Sequence, residues 1–425
     1  MKISVIGQGY VGLPLSLAIS KKYNVIGYDI NLTKIRYLKK KKDPNNEISK
    51  SNFINKKIKF SNNIEDLSNS NYFIIAVPTP VDVNNKPDLY NLKSAIKSVG
   101  KFVKNNSTII IESTVYPGFT DEVCKPMIEK ISNLKCIKED EKKGTKGFYL
   151  GFCPERVNPG DKKHTIDKIT KVISGSCKIA IKKIKKIYKV VNGKNIYVAD
   201  NIKVAESAKI IENTQRDLNI ALINELSKIF NLMNIDTNAV LKTANTKWNF
   251  LDFKPGLVGG HCIGVDPYYL TYKSKKLGYK PDLILSGRKM NDGIPEYLSQ
   301  KIKKIAKLKK IKSSNIKCLI IGVSFKENVS DIRNSKAIEL VKLLKKKYIV
   351  DLYDPIINEI KVENCLVYKK LSDLKNYYYN CIIISVPHKT LINDLKKIIK
   401  IKSKKIKIII DIKSVLDKKI SDFRL

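Results

Sequence analysis

Short, almost wholly apolar runs alternate along this chain with longer segments in which apolar residues recur every three to four positions. An apolar run of four to eight residues bounded by turn residues fits a strand buried on both faces, and the 3.6-residue spacing fits a helix packed over it. Lys2 to Ile6 is the first such run, followed at once by Gly7-Gln-Gly9-Tyr10-Val11-Gly12 and an apolar helical stretch to Ile19. Asn24 to Tyr28 is the second and ends in Asp29. Tyr72 to Val77 closes in Pro78-Thr79-Pro80, and Ser107 to Glu112 closes in Ser113-Thr114. Strands alternating with helices predict an α/β fold with a parallel sheet.

The C-terminal third repeats the plan. Ile316 to Ile321 leads to Gly322, Tyr348 to Tyr353 leads to Asp354, Asn380 to Ser385 leads to Val386-Pro387, and the run 405–410 leads to Asp411. Gly27-Tyr-Asp29 is echoed by Leu352-Tyr-Asp354, and Ile74-Ile-Ala-Val-Pro-Thr79 more loosely by Ile383-Ile-Ser-Val-Pro-His388. The pattern predicts two doubly wound, Rossmann-like units. The second has lost the glycine fingerprint and would suit a nucleotide group other than a dinucleotide. Between them, Asn201 to about Met233 has helical spacing and contains neither Gly nor Pro. Ile211, Leu218, Leu222 and Leu226 fall on one face, and Glu206, Lys209, Asn213, Asp217 and Asn224 on the other. One long central helix joining the units is expected, with segments 1–200, 201–300 and 301–425. The stretch 138–147 is expected to be a loop.

Composition narrows the class. At 425 residues the chain exceeds the size at which one core stops growing. Eight cysteines are scattered with no C-x-x-C pair, which argues against zinc and thioredoxin-like sites; no metal site is expected. A disulfide framework does not fit a chain with this much core, so a reducing, cytoplasmic setting is expected. No apolar stretch approaches the roughly 20 residues of a membrane span, and no membrane association is expected. The formal net charge of +41 invites a nucleic-acid reading. Yet the excess is lysine spread in short runs such as Lys39 to Lys42 and Lys345 to Lys347, arginine is scarce, and no nucleic-acid module accompanies it. Solvated lysine faces are the expected reading, with attraction for anionic substrates as a side benefit.

The glycine motif follows a strand, opens a helix and has Asp29 seventeen residues after Gly12, at the tip of the second strand. Glycines let the backbone approach a pyrophosphate, and the helix N-terminus supplies amide donors. Asp29 would accept from ribose hydroxyls and repel a 2′-phosphate, which favours NAD over NADP. Lys34 and Arg36 keep an NADP option open, and FAD uses the same fingerprint.

A second stretch, Phe253-Lys254-Pro-Gly-Leu-Val-Gly259-Gly-His261-Cys262-Ile-Gly-Val-Asp266, brings a thiol to the end of a glycine-rich loop with a carboxylate four residues on. In a dehydrogenase-like chain such a thiol can trap an aldehyde as a thiohemiacetal, and hydride removal then gives a thioester. Lys209 is a candidate cation for lowering the thiol pKa.

These motifs together resemble the nucleotide-sugar dehydrogenases, the UDP-glucose and UDP-N-acetylhexosamine 6-dehydrogenases, over essentially the whole chain. They are GQGYVG (7–12), AVPTP (76–80), STVYPG (113–118), GFCPERVNPGD (151–161), AESAKIIENTQRDLNIALINE (205–225), GLVGGHCIGVDPYYL (256–270) and GVSFKENVSDIRNS (322–335). The resemblance implies that Cys262 is the nucleophile. Lys209 and Asn213, one helical turn apart, would stabilise the oxyanion, and Asp266 would assist proton transfer through a water. Glu155 is implied in thioester hydrolysis, with Thr114 lining the same pocket, and Glu155, Arg156, Lys209 and Asn213 are also implied in binding the substrate. Lys254, Gly259, Phe325 and Lys326 are implied in holding the UDP-sugar. Gly7, Gly9, Tyr10, Val11, Gly12, Asp29, Pro78, Thr79 and Thr114 would hold NAD, and Arg333 would reach across to it. His261 is given a structural or substrate-contact role, while His164, His388 and Cys153 are read as incidental. His-Cys-Ile-Gly-Val-Asp, with Ser286-Gly-Arg288-Lys-Met-Asn291-Asp292, is nearest to the branch acting on UDP-N-acetylglucosamine or its galacto epimer. UDP-N-acetylmannosamine and UDP-glucose are the alternatives. The central region resembles the family's dimer interface, so a homodimer is expected. The rivals are a two-electron hydroxyacid or sugar-acid dehydrogenase, which would not need Cys262, and a basic nucleic-acid-binding module.

Overall fold

The computed structural model describes residues 1–44, 48–54, 56–141, 144–157, 161, 163–312, 315–374, 378–402 and 406–425, the side chains of 396 and 400–402 excepted. Residues 142–143 of the expected loop, 158–160 of the GFCPERVNPGD motif and the expected first residue of the last strand run, 405, lie outside the described residues. The chain divides into two compact units, 1–212 with 268–279, and 213–267 with 280–425.

The first unit is built on strands β1 (Lys2–Ile6), β2 (Asn24–Tyr28), β3 (Ile58–Ser61), β4 (Tyr72–Ile75), β5 (Thr108–Ile111), β6 (Lys135–Cys136) and β7 (Gly147–Phe152). They form one parallel sheet in the order β3-β2-β1-β4-β5-β7-β6. Its central strands are Ile-, Phe- and Leu-rich and buried along their length, as parallel strands covered on both faces must be. Strands β8 (Lys171–Ile173) and β9 (Ile196–Val198) pair separately, also in parallel. The helix Lys178–Asn192 puts Ile184, Ile187, Tyr188 and Val191 on one face against Ile3, Val5, Leu15, Ile74 and Ile110, and its lysines elsewhere. Burying each large apolar side chain of that face contributes about 1.5–3 kcal/mol. The helix ends at Gly193, whose positive φ of 59° is open to glycine and strained for other residues.

The second unit repeats the architecture. Strands β10 (Lys317–Ile321), β11 (Ile349–Tyr353), β12 (Lys361–Val362), β13 (Cys365–Tyr368), β14 (Cys381–Ile384), β15 (Ile408–Asp411) and β16 (Phe423–Arg424) run in the order β12-β13-β11-β10-β14-β15-β16, all parallel except β12. In each sheet the winding reverses beside the first strand, between β1 and β4 and between β10 and β14. That is the position at which open α/β sheets bind ligands, beyond the strands' carboxyl ends. The register aligns those ends: Ile6 with Tyr28 and Ile75, and Ile321 with Tyr353 and Ile384.

Both units turn off the first strand in the same way. Gly7 donates its N–H to Tyr28 O at 2.8 Å, and Gly322 donates to Tyr353 O at 2.9 Å. Their φ values are +92° and +78°, and a Cβ would stand 2.6 Å from Ala76 O or 1.9 Å from Val386 O. Only glycine fits there. Beyond this the units diverge. Gly9 and Gly12 open a helix, Gly12–Ile19, directly after the first turn, whereas Ser324 and Glu327 stand in the matching places and the next helix begins only at Lys336. The helix Ile202–Leu232 spans 31 residues, and the division between the units falls within it.

Candidate active site

In the first unit, the turn after β1 and the tip of β2 are locked together by Asp29. Its Oδ2 accepts from Gln8 N–H at 2.8 Å and from Lys34 Nζ at 2.8 Å, and its Oδ1 accepts from Asn31 N–H at 2.9 Å. A carboxylate offers about four lone-pair sites, so one remains for a ribose hydroxyl, and Lys34, on the surface side, is able to yield another. Nothing lies within 4 Å of the place a Gly9 Cβ would take, and the helix Gly12–Ile19 carries no side-chain cap. The open backbone and the uncapped amides suit the pyrophosphate of NAD. Tyr10 and Val11 are half-buried beside it.

The loops after β4 and β5 join this cradle. Thr79 Oγ1 donates to Thr114 O at 2.8 Å, and Ser113 Oγ donates to Val77 O at 2.7 Å. Tyr269, fully buried, donates its hydroxyl to Thr79 O at 2.8 Å. Pro78 is exposed at the rim. On the loop after β7, Glu155 Oε1 accepts from the N–H groups of Arg156 and Val157 at 2.7 and 2.6 Å, while its Oε2 is buried with no partner among the described residues. Arg156 does not pair with Glu155; it pairs with Glu212 at 2.7 Å.

Lys209 is buried on the long helix in this unit, and Asn213 follows one turn later. Sequence reasoning left Glu206 on the same stripe without a role. Its carboxylate accepts from Gly118 and Thr120 N–H at 2.5 and 2.9 Å, closing the turn that follows Thr114. Burial pushes this carboxyl up to about 7, although both hydrogen bonds pull the other way.

In the second unit, Cys262 is half-exposed at the end of the glycine loop, and its carbonyl accepts from Asp266 N–H at 2.8 Å, the turn that starts the helix Asp266–Lys276. Asp266 is buried, and Asn213 Nδ2 donates to its Oδ2 at 2.6 Å. The nucleophile candidate, the carboxylate and the amide are thus fastened in series. His261 Nε2 meets Asp331 Oδ2 at 3.2 Å, and its ring stands edge-on to Phe325 at 6.1 Å. Arg333 also forks onto Asp331. Burial pushes the Asp331 carboxyl up, but the His261 and Arg333 hydrogen bonds win and hold it well below the usual range. Gly259 packs where a Cβ would stand 2.3 Å from Asn334 O, which ties the glycine loop to the 322–335 loop. Ser324 Oγ donates to Lys326 O at 2.7 Å, and Phe325 N–H donates to Asp331 O at 3.0 Å. Lys254 is largely exposed, 3.8 Å from Asp252.

In the second unit two further residues hold places that the sequence reading did not assign. His388, read as incidental, is fully buried: its Nε2 is 3.1 Å from Asp354 Oδ2, and its Nδ1 accepts from Asn328 N–H at 2.8 Å. Asp354 is the counterpart of Asp29. With the N–H groups of Val323, Ile356 and Ile357 and the His388 ring on its oxygens, its four lone-pair sites are taken and it offers no place for a dinucleotide ribose. Lys413, at the exit of β15, brings its ammonium to the face of Gly256, where a Cβ would stand 2.5 Å from Nζ. Burial, with Lys254 adding to it, pushes its pKa down. The signal for His388 was the alignment of Val386-Pro387-His388 with Val77-Pro78-Thr79; nothing local marks Lys413.

The comparisons with known proteins bear on both units. Residues 1–192 match the NAD binding domain of the UDP-glucose/GDP-mannose dehydrogenase family, 203–293 its central domain, and 319–418 its UDP binding domain. The chain is 43% identical to the protein CapL of Staphylococcus aureus, covering 98% of this chain and 96% of that one. It is equally 43% identical to a UDP-N-acetyl-D-glucosamine 6-dehydrogenase of Pseudomonas aeruginosa, covering 100% and 99%. Among solved structures, the UDP-N-acetyl-mannosamine dehydrogenase Cap5O of S. aureus superposes with a TM-score of 0.82 at 31% identity, covering 100% and 96%. Three matching family domains in chain order, on two sheets of the required topology, show that this chain belongs to the UDP-glucose/GDP-mannose dehydrogenase family and is an NAD-dependent UDP-sugar dehydrogenase.

Proposed function

We propose that the protein oxidises the C6 hydroxyl of a UDP-N-acetylhexosamine, UDP-N-acetylglucosamine or its galacto epimer, to the carboxylate through a Cys262 thioester. The observation that carries this is the half-exposed Cys262 at the end of the glycine loop, one backbone turn before the buried Asp266 whose carboxylate accepts from Asn213 on the long helix. The 43% identity with proteins named UDP-N-acetyl-D-glucosamine 6-dehydrogenase in P. aeruginosa and Salmonella typhi supports the sugar. UDP-N-acetylmannosamine is the second reading, favoured by the mannosamine dehydrogenases among the relatives, one at 36% identity.

Bound NAD supplies the hydride acceptor for both oxidations, so two are consumed per sugar. Lys209 and Asn213 stabilise the alkoxide and then the thiohemiacetal oxygen. Asp266 moves the proton through a water. Cys262 adds to the aldehyde carbon, and once the second hydride has left, its sulfur carries an acyl group. Water then attacks the acyl carbon, the C–S bond breaks, the sulfur leaves as thiolate and the sugar as carboxylate, with Glu155 taking a proton from the water. Phe325, Lys326, Lys254 and Gly259 hold the UDP portion, and Arg333 serves the NAD side. In the reducing cytoplasm Cys262 stays a thiol. A product of this kind suits surface-polysaccharide synthesis. The enzyme works as a homodimer, supported by the stripe of exposed apolar residues Ile211, Leu222, Ile229 and Leu232 along the long helix.

The test is NADH yield with limiting UDP-N-acetylglucosamine, UDP-N-acetylgalactosamine, UDP-N-acetylmannosamine and UDP-glucose in turn. Two NADH per sugar with one of the first two is expected, and Cys262→Ser should lower turnover about a thousand-fold or more. One NADH per sugar, or full turnover in Cys262→Ser, would leave a two-electron dehydrogenase in its place.

A further inference from the structure

Beneath the loop that carries Glu155 lies an ion pair that the reaction as described does not use. Lys171, at the start of β8, and Glu112, at the end of β5, are both buried, with Nζ 2.9 and 2.8 Å from the two carboxylate oxygens. The same ammonium donates to Cys153 O at 3.1 Å and to Pro154 O at 2.9 Å. Tyr188 donates its hydroxyl to Glu112 Oε1, and its ring lies 4.8 Å from Nζ.

The reason for the arrangement starts with the strand. The pairing of β7 with β5 ends at Phe152 with Ile111, so the carbonyls of Cys153 and Pro154 leave the sheet with no partner strand while still buried. Buried carbonyls need donors, and Lys171 supplies both. Satisfying two carbonyls does not require a charge, and a buried ion pair carries a desolvation penalty of several kcal/mol per ion. The two groups fastened lie immediately before Glu155. On its other side, Arg156 Nη1 donates to Thr170 O at 3.2 Å. Residues 170–171 therefore grip the loop on both flanks of a carboxylate that has one oxygen tied to its own backbone and the other unpartnered among the described residues. Lys171 stays charged against its burial because Glu112 and Glu155 both act on it.

We propose that Lys171, neutralised by Glu112, is a positioning residue that sets the Glu155 carboxylate for thioester hydrolysis. This rests on the reading of Glu155 given above. Its loss should slow the release of the acyl group from Cys262 and spare the two oxidations that precede it.

Lys171→Met alone would leave the buried Glu112 without its cation, so the variant to make is Lys171→Met with Glu112→Gln, which fills the same space without charge. Lys171→Arg, which keeps the charge but moves the donors, is the milder companion. Each is mixed with NAD and UDP-N-acetylglucosamine, the NADH burst is timed, and the decay of the Cys262 acyl adduct is followed by intact mass. Glu155→Gln sets the reference. The double variant should release the acyl group about 100-fold more slowly than wild type, as Glu155→Gln does, with burst rates within a few-fold of wild type. Lys171→Arg should fall between. Decay at the wild-type rate in Lys171→Arg or in the folded double variant, or equal slowing of burst and decay, would overturn the proposal. If Glu155→Gln itself decays normally, the role of Glu155 fails first and this assignment falls with it.

Discussion

At the scale of single residues, burial outweighs hydrogen bonding in setting the protonation of Glu206, while the reverse holds at Asp331. Glu206 carries two backbone N–H bonds that favour its charged form, yet burial raises its pKa from 4.5 to about 7. The folded state then binds a proton that the unfolded state has released between those values. The stabilisation from this group is therefore complete below about 4.5 and is lost as pH rises through about 7. The span corresponds to at most about 3 kcal/mol. Glu206→Gln is neutral throughout, so its urea midpoint should change less between pH 5 and pH 8 than that of the wild type. An equal drop in both proteins would place the titration elsewhere. In the sequence Glu206 was legible as one member of a polar stripe, but its partners Gly118 and Thr120 lie 88 and 86 residues away. His388 shows the same limit, since a lone histidine after Val-Pro carries no mark of the buried carboxylate it meets.

At the scale of elements, the long helix has its polarity turned round. Glu206, Lys209, Asn213, Asp217 and Asn224 are buried, while Ile211 and Leu222 are more than half exposed. Periodicity located both faces but could not say which one faces inward. The buried polar face is held by specific partners. Asp217 meets Arg288 at 2.6 Å and Asn291 at 2.8 Å, both on the helix Asp282–Asp292, and Asn224 bonds to Asn291 at 2.8 Å and to Gly256. Burial pushes the Asp217 carboxyl up, with Arg288 opposing. Arg288→Met would leave that carboxylate without its cation and should lower stability by about 3–5 kcal/mol in denaturant titrations. Adding Asp217→Asn should recover a good part of the loss. A single variant as stable as wild type would mean that the pair holds nothing.

At the scale of the whole molecule, the family match assigns this chain of formal net charge +41 to nucleotide-sugar chemistry. Among the described residues no helix is long and apolar enough to cross a membrane. The proposed homodimer would cover the exposed apolar stripe of the long helix with a second copy of the same helix. Replacing Leu222 and Ile229 with Asp together should shift the protein to the monomer in sedimentation velocity while each unit stays folded. An unchanged sedimentation coefficient would remove the helix from the interface.

The sequence by itself determined strands β1, β2, β4, β5, β10, β11, β14 and β15, the two repeated units, the glycine turn at Gly7 and the long helix. Those features are written at short range: a strand or helix has a fixed side-chain period, and a tight turn admits few residues. Strand ends differ from the expected ones by one or two residues, as at β4 and β14, and by three at the start of β15. The tertiary structure alone decided which helix face is buried, that Asp354 is closed by His388 where Asp29 stays available, and that Lys171 reaches Glu112 across 59 residues. Such pairings depend on strand order and on which groups lose water together. No local pattern of apolar and polar residues encodes either.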